Sequence, residues 1–323
     1  MSEADESQGS TTAPDARRDD RGTLPNLIIA GVKKGGTTSL AYYLAQHPDI
    51  ATSGRKKVAY FVPAKYGRPL DPIESYAAHF AGRGDSRYRL EATTGYFLGA
   101  AAVAEPMAET LPDVRVIISL RDPVDSLWSH YRFVRAHVRI DPETSFEDYV
   151  AECRRLHEAG EAGLRENAAW VAYEGGFYDE PMQAWIDSFG DRLKIVFFDD
   201  LKRDSAAVLT DVFEWLDLPT DVDGIDFDTH NQSVQVKNAR IQKVALRTNV
   251  ALKPFFRRHH GLKRRLRSMY YAVNRDRAPS LKLDPDFRAE LRAVYRPSIE
   301  RLHEQVVGGG YAHEVPAWLA GEA

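Results

Sequence analysis

Residues 27–44 constrain this chain more than any other stretch: Leu27-Ile28-Ile29-Ala30-Gly31-Val32-Lys33-Lys34-Gly35-Gly36-Thr37-Thr38-Ser39, then Leu40-Ala41-Tyr42-Tyr43-Leu44. Four apolar residues in a row suit a strand buried on both faces, as in a parallel sheet. The glycine-containing loop that follows leads into a helical pattern. Such a strand–loop–helix turn gathers backbone N–H groups at the positive end of a helix dipole, where a phosphate is the natural guest. Gly35 and Gly36 let the backbone come close, Thr37, Thr38 and Ser39 add hydroxyl donors, and Lys34 adds charge.

Short apolar runs recur at Tyr88–Glu91, Val114–Ser119 and Leu193–Phe198, separated by helical patterns such as Val124–Val134 and Tyr178–Phe189. Strands alternating with helices predict an α/β fold: a P-loop-like three-layer sandwich, with a mainly parallel sheet covered on both faces. Beyond about residue 204 no strand pattern stands out, and the C-terminal part reads as helical. Residues 1–23 are Ser, Thr, Ala, Gly, Asp, Glu and Arg-rich without an aromatic side chain, the texture of a disordered tail. No linker follows, so residues 24–323 are expected to form one domain.

The chain has 323 residues, with 43 Lys and Arg against 47 Asp and Glu, a net charge of −4. That balance argues against a general nucleic-acid binder. The one cysteine, Cys153, excludes an internal disulfide and a cysteine-based zinc site. No apolar run is long enough for a transmembrane segment, and the acidic start is unlike a secretory signal, so a cytoplasmic setting is expected.

The position of the lysine sorts the phosphate-loop chemistries. A nucleoside-triphosphate loop G-x-x-x-x-G-K-[ST] starting at Gly31 would need lysine where Thr37 stands; here Lys34 precedes the glycine pair. Phe197-Phe198-Asp199-Asp200 imitates a magnesium-binding strand end, which keeps a Mg²⁺-dependent kinase as an alternative. A second motif, Ser119-Leu120-Arg121-Asp122-Pro123-Val124, predicts a strand end followed by a helix with Asp122 as N-cap and Pro123 in its first turn. Arg121 from the strand end and Ser129 from the helix could meet on a second phosphate.

Together the two motifs resemble the cofactor signatures of the sulfotransferases that use 3′-phosphoadenylyl sulfate (PAPS), closest to the bacterial and carbohydrate-type branch. The resemblance continues through His47-Pro48, Gly176-Phe177-Tyr178, Trp185, Phe189, Phe198-Asp199-Asp200-Leu201 and Leu283–Trp318. It implies that Lys34, Gly35, Gly36, Thr37, Thr38 and Ser39 hold the 5′-phosphosulfate, and that Arg121 and Ser129 bind the 3′-phosphate. The implied reaction is metal-independent transfer of a sulfuryl group to a hydroxyl or amine of a small-molecule or carbohydrate acceptor, with Lys34 stabilising the departing phosphate.

In one place the pattern departs. The carbohydrate branch has a Lys-Glu-x-His-Phe-Phe-like segment whose glutamate is the catalytic base, and the corresponding stretch here is Lys56-Lys57-Val58-Ala59-Tyr60-Phe61. Lysine replaces the glutamate and alanine the histidine. Glu91, at the end of an expected strand, is the replacement base; the alternative is a structural carboxylate bonded to its neighbours. Lys57, His79 and His130 are further candidates. The missing glutamate also admits a non-catalytic protein that binds PAPS or its product PAP. The basic run Arg257–Arg267 reads as a solvated helix face, the alternative being an electropositive mouth for an anionic nucleotide or acceptor or a membrane-surface contact, while Lys237 and Arg240 lie in a segment that can approach the 3′-phosphate in relatives.

Overall fold

A computed structural model describes residues 24–53, 58–83, 86–227 and 282–321. The expected tail, Lys56, Lys57, Lys237, Arg240 and the basic run at 257–267 lie outside the described residues.

Five strands form one sheet: β1 (Leu27–Gly31), β2 (Ile50–Thr52), β3 (Tyr88–Ala92), β4 (Arg115–Leu120) and β5 (Leu193–Phe197). Their order is β2-β3-β1-β4-β5, and every pairing is parallel. All five residues of β1 are buried, which explains its unbroken apolar run at the centre of a sheet covered on both faces. The chain runs from β1 outward to one edge through β2 and β3, then crosses to β4 and β5 on the other side. The order therefore reverses between β1 and β4, and open α/β sheets bind ligands at the carboxyl end of such a switch.

Among the described residues, the α-helices of five residues or more are α1 (Thr37–Leu44), α2 (Ile73–Ala77), α3 (Ala101–Thr110), α4 (Pro123–Ala136), α5 (Phe146–Glu158), α6 (Asp179–Phe189), α7 (Phe198–Arg203), α8 (Ser205–Trp215) and α9 (Pro285–His303). Alternate strand residues feed the two layers. Ile28, Ala30, Val116, Ile118 and Ile195 pack with Val103, Met107, Met182 and Trp185 of α3 and α6. Leu27, Ile29, Ile117 and Val196 pack with Leu40, Leu44, Leu209 and Phe213 of α1 and α8. A third cluster joins α4, α5 and α9 through Leu127, Tyr131, Tyr149, Leu291 and Tyr295. None of the described helices is long and apolar enough to cross a membrane.

The expected three-layer α/β architecture is present. The start of α4 follows its sequence signals: Pro123 opens the helix, and the Asp122 carboxylate accepts from the N–H groups of Val124 at 2.8 Å and Asp125 at 3.0 Å. Two details differ. The edge strand β2 has only three residues, too few to show a period. The last strand ends at Phe197, and Phe198 begins α7 instead of extending the run.

Candidate active site

The loop after β1 folds back on β4. The Val32 N–H donates to the Ser119 carbonyl at 2.9 Å, and the Ser119 hydroxyl donates to the Gly35 carbonyl at 2.5 Å. Lys34 has φ 67° and Gly36, the residue before α1, has φ 81°. Both glycines are sterically required. A Cβ on Gly35 would sit 2.3 Å from the Ser119 carbonyl oxygen, and one on Gly36 would sit 2.6 Å from the Phe198 ring. The N–H groups of Ser39 and Leu40 turn back on the Gly36 carbonyl, at 2.9 and 3.1 Å. Those of Gly36, Thr37 and Thr38, at the mouth of α1, are the donors that a helix start leaves without an intrahelical acceptor.

Arg121 closes the other side of this mouth. Its guanidinium donates to the Lys34 carbonyl at 3.2 Å and lies 4.3 Å from the centroid of the Phe198 ring. Its own carbonyl accepts from the Tyr178 hydroxyl at 3.1 Å, which fixes the turn between β4 and α4. The Asp125 carboxylate lies 3.9 Å from the guanidinium. Two turns into α4 comes half-buried Ser129, and the Ser126 hydroxyl donates to the Lys33 carbonyl at 2.8 Å. The Lys34 ammonium reaches along α4 to 4.9 Å from the centre of the Phe133 ring. The two motifs, far apart in sequence, are thus one structural unit.

His130 is buried beside them, lining a small cavity with Val32, Lys33, Phe97 and Ser126 that has room for about one water molecule. Burial, with Lys33, Lys34 and Arg139 nearby, lowers its pKa to about 3, so it is a neutral packing group and a poor base.

Glu91 is wholly buried, at 0% exposure. Its Oε1 accepts from the Thr93 and Tyr96 hydroxyls, both at 2.7 Å, and from the Ala59 N–H at 3.2 Å. Its Oε2 accepts from the Tyr76 hydroxyl. Burial and the Glu91 charge hold both tyrosines well above the usual phenol range, so they stay protonated and donating. The carboxylate thus has four internal donors and no exposed surface, the surroundings that the structural alternative for this residue describes.

The aspartates that imitate a magnesium site are engaged elsewhere. Asp199 accepts from the Trp318 indole at 3.2 Å, and Asp200 pairs with Arg203 at 2.6 Å. The side chains of this stretch that meet the loop are Phe198 and, just beyond the aspartates, Leu201. Sequence reasoning missed Phe198, because the alternation of a two-phenylalanine run does not say where the strand stops. It also missed Ser119, whose role shows only in its contact with Gly35.

Residues 24–268 match the family model described as the sulfotransferase domain, most of the chain. The chain belongs to the sulfotransferase family. Among curated relatives, the membrane-associated sulfotransferase kil1 of Dictyostelium discoideum is 33% identical over 166 residues, 47% of this chain and 34% of that protein. The human heparan sulfate glucosamine 3-O-sulfotransferase 3B1 is 31% identical over 196 residues, 60% of this chain and 46% of that protein. The bifunctional heparan sulfate N-deacetylase/N-sulfotransferase 1 of Caenorhabditis briggsae is 25% identical over 216 residues, 64% of this chain and 24% of that protein. The chain thus matches less than half the length of these relatives. A solved sulfotransferase from Alicyclobacillus acidocaldarius has the same fold, with a TM-score of 0.62 and 24% identity, covering 91% of this chain and 98% of that one.

Proposed function

We propose that this sulfotransferase-family chain moves a sulfuryl group from PAPS to a hydroxyl or amine of a carbohydrate or small-molecule acceptor. The observation that carries the reading is the bond from Arg121 to the Lys34 carbonyl, which places two cationic motifs around one mouth at the sheet's switch point. The residues fit a bis-anionic nucleotide. A glycine loop packed too closely against Ser119 and Phe198 for a Cβ at Gly35 or Gly36 leads into the helix start, whose N–H groups suit a phosphate, and an arginine stands beside it. When bound, PAPS supplies the sulfuryl group and a phosphate leaving group.

The chain's residues divide the work. The N–H groups of Gly36, Thr37 and Thr38, with the hydroxyls of Thr37, Thr38 and Ser39, hold the 5′ end. The Lys34 ammonium offsets the charge that grows on the leaving oxygen. Arg121 and Ser129 take the 3′-phosphate, and the Phe198 ring packs against the guanidinium. None of these roles needs a metal ion. Heparan sulfate enzymes among the relatives support a carbohydrate acceptor. Glu91 acts as a positioning carboxylate: through Ala59 and the two tyrosines it holds the segment leading to Phe61.

Calorimetry with PAP and with ATP, each with and without Mg²⁺, tests the nucleotide. Metal-independent PAP binding with negligible ATP binding supports the reading, and the reverse overturns it. The occupied state of Glu91 and the lysine at position 57 favour a second reading, a PAP-binding protein without turnover. Transfer of labelled sulfate from PAPS to sugars, phenols and amines separates the two.

A further inference from the structure

α9 crosses the start of α4 and presents two arginines, one turn apart, to its first two carboxylates. The Arg288 guanidinium donates to Asp125 Oδ1 at 2.7 Å, and Arg292 lies 3.5 Å from Asp122 Oδ2. The two pairs differ in what else their aspartates do. Asp122 is the N-cap of α4 and is buried, so Arg292 bears on a helix end. Asp125 instead has its second oxygen, Oδ2, 3.9 Å from Arg121. One carboxylate therefore stands between a cation of the nucleotide mouth and a cation of the C-terminal helix.

A carboxylate placed beside a phosphate-binding arginine competes with the phosphate. Asp125, in the first turn of α4, has its Oδ2 within ion-pair distance of Arg121, just before the helix. That contact, at 3.9 Å, is the longer of its two: the carboxylate lies 2.7 Å from Arg288, while Arg121 also meets the Phe198 ring and the Lys34 carbonyl. We infer that Arg288 is a positioning residue for nucleotide binding: it draws the Asp125 carboxylate away from Arg121, so that the Arg121 charge stays available to a phosphate. This inference rests on the reading that Arg121 binds a nucleotide phosphate.

Three variants and one double variant decide it, with PAP binding measured by calorimetry and folding by thermal melting. Arg121→Ala should weaken PAP binding strongly. Arg288→Ala should weaken it about fivefold, within the range of a partly exposed ion pair. Asp125→Asn alone should bind PAP at least as tightly as the parent, because it removes the competitor. Arg288→Ala combined with Asp125→Asn should regain the parent affinity, even if its melting temperature stays low. Unchanged PAP binding in Arg121→Ala would overturn the site reading and this inference together. If Arg121→Ala binds weakly but Arg288→Ala binds normally, the inference alone fails. It fails equally if the double variant is as weak as Arg288→Ala, which would make the pair a brace for α9, or if Asp125→Asn loses affinity.

Discussion

The guanidinium of Arg121 donates to the main-chain carbonyl of Lys34 at 3.2 Å, so the residue after β4 holds the loop after β1. The two side chains point to different duties. The Arg121 guanidinium lies over the Phe198 ring, whereas the Lys34 ammonium extends toward Phe133. Arg121→Ala is expected to raise the dissociation constant for PAP about tenfold or more, the scale of a lost charge-assisted contact. Lys34→Ala is expected to lower kcat about a hundredfold or more, because its charge matters most when the leaving oxygen becomes anionic. Steady-state kinetics with saturating acceptor would show the contrast, and a kcat unaffected by Lys34→Ala would remove the lysine from the chemistry.

Gly36→Ala should be more damaging than its size suggests. The position has φ 81°, and the added methyl would lie 2.6 Å from the Phe198 ring on which Arg121 rests. Left-handed backbone costs an L-residue about 1 kcal/mol before any clash is counted. The variant is expected to melt several degrees lower and to lose PAP affinity, since moving Phe198 also moves Arg121. Gly67→Ala is the control. It also has positive φ, at 63°, but no atom lies within 4 Å of the added carbon, so it should lose stability without losing affinity.

What the sequence made legible was local or strongly patterned. The β1 run and its glycine loop announce a buried strand and a turn into a helix, and Asp122-Pro123 announces the start of α4, because cap chemistry acts over two or three residues. Arg121 and Lys34 were legible as residue types, but their contact spans 87 positions. The occupied state of Glu91 was not legible, because it depends on Tyr76, fifteen residues earlier, which lies on α2 and donates to it across the fold. The partnership of Asp125 with Arg288 spans 163 positions and follows only from how α9 crosses α4.

Glu91→Gln separates positioning from proton transfer. The amide would set an N–H₂ group against a cluster in which all four partners donate. A buried donor left facing donors costs about 1–3 kcal/mol. The variant is therefore expected to melt lower while the folded fraction keeps a kcat within a few-fold of the parent. A loss of turnover of a thousandfold at an unchanged melting temperature would instead give Glu91 the base role.

His130 gives the fold a specific acid sensitivity. The Tyr149 hydroxyl donates to the Ala169 carbonyl at 2.7 Å, so the His130 Nδ1, 3.1 Å from that hydroxyl oxygen, carries the proton of the neutral ring and donates it. Burial first, then the charges of Lys33, Lys34 and Arg139, lower its pKa to about 3, against an ordinary value of 6.5. Between those two values the unfolded chain holds a proton that the folded chain does not. Stability from this group is therefore fully kept above pH 6.5 and falls as the pH drops toward 3, with a limiting slope of about 1.4 kcal/mol per pH unit. His130→Asn keeps a donor near the Nδ1 position and does not titrate. Its melting temperature should fall less steeply than the parent's as the pH is lowered from 6.5 to 4. Parallel curves for the two proteins would show that the imidazole is not held neutral by the fold.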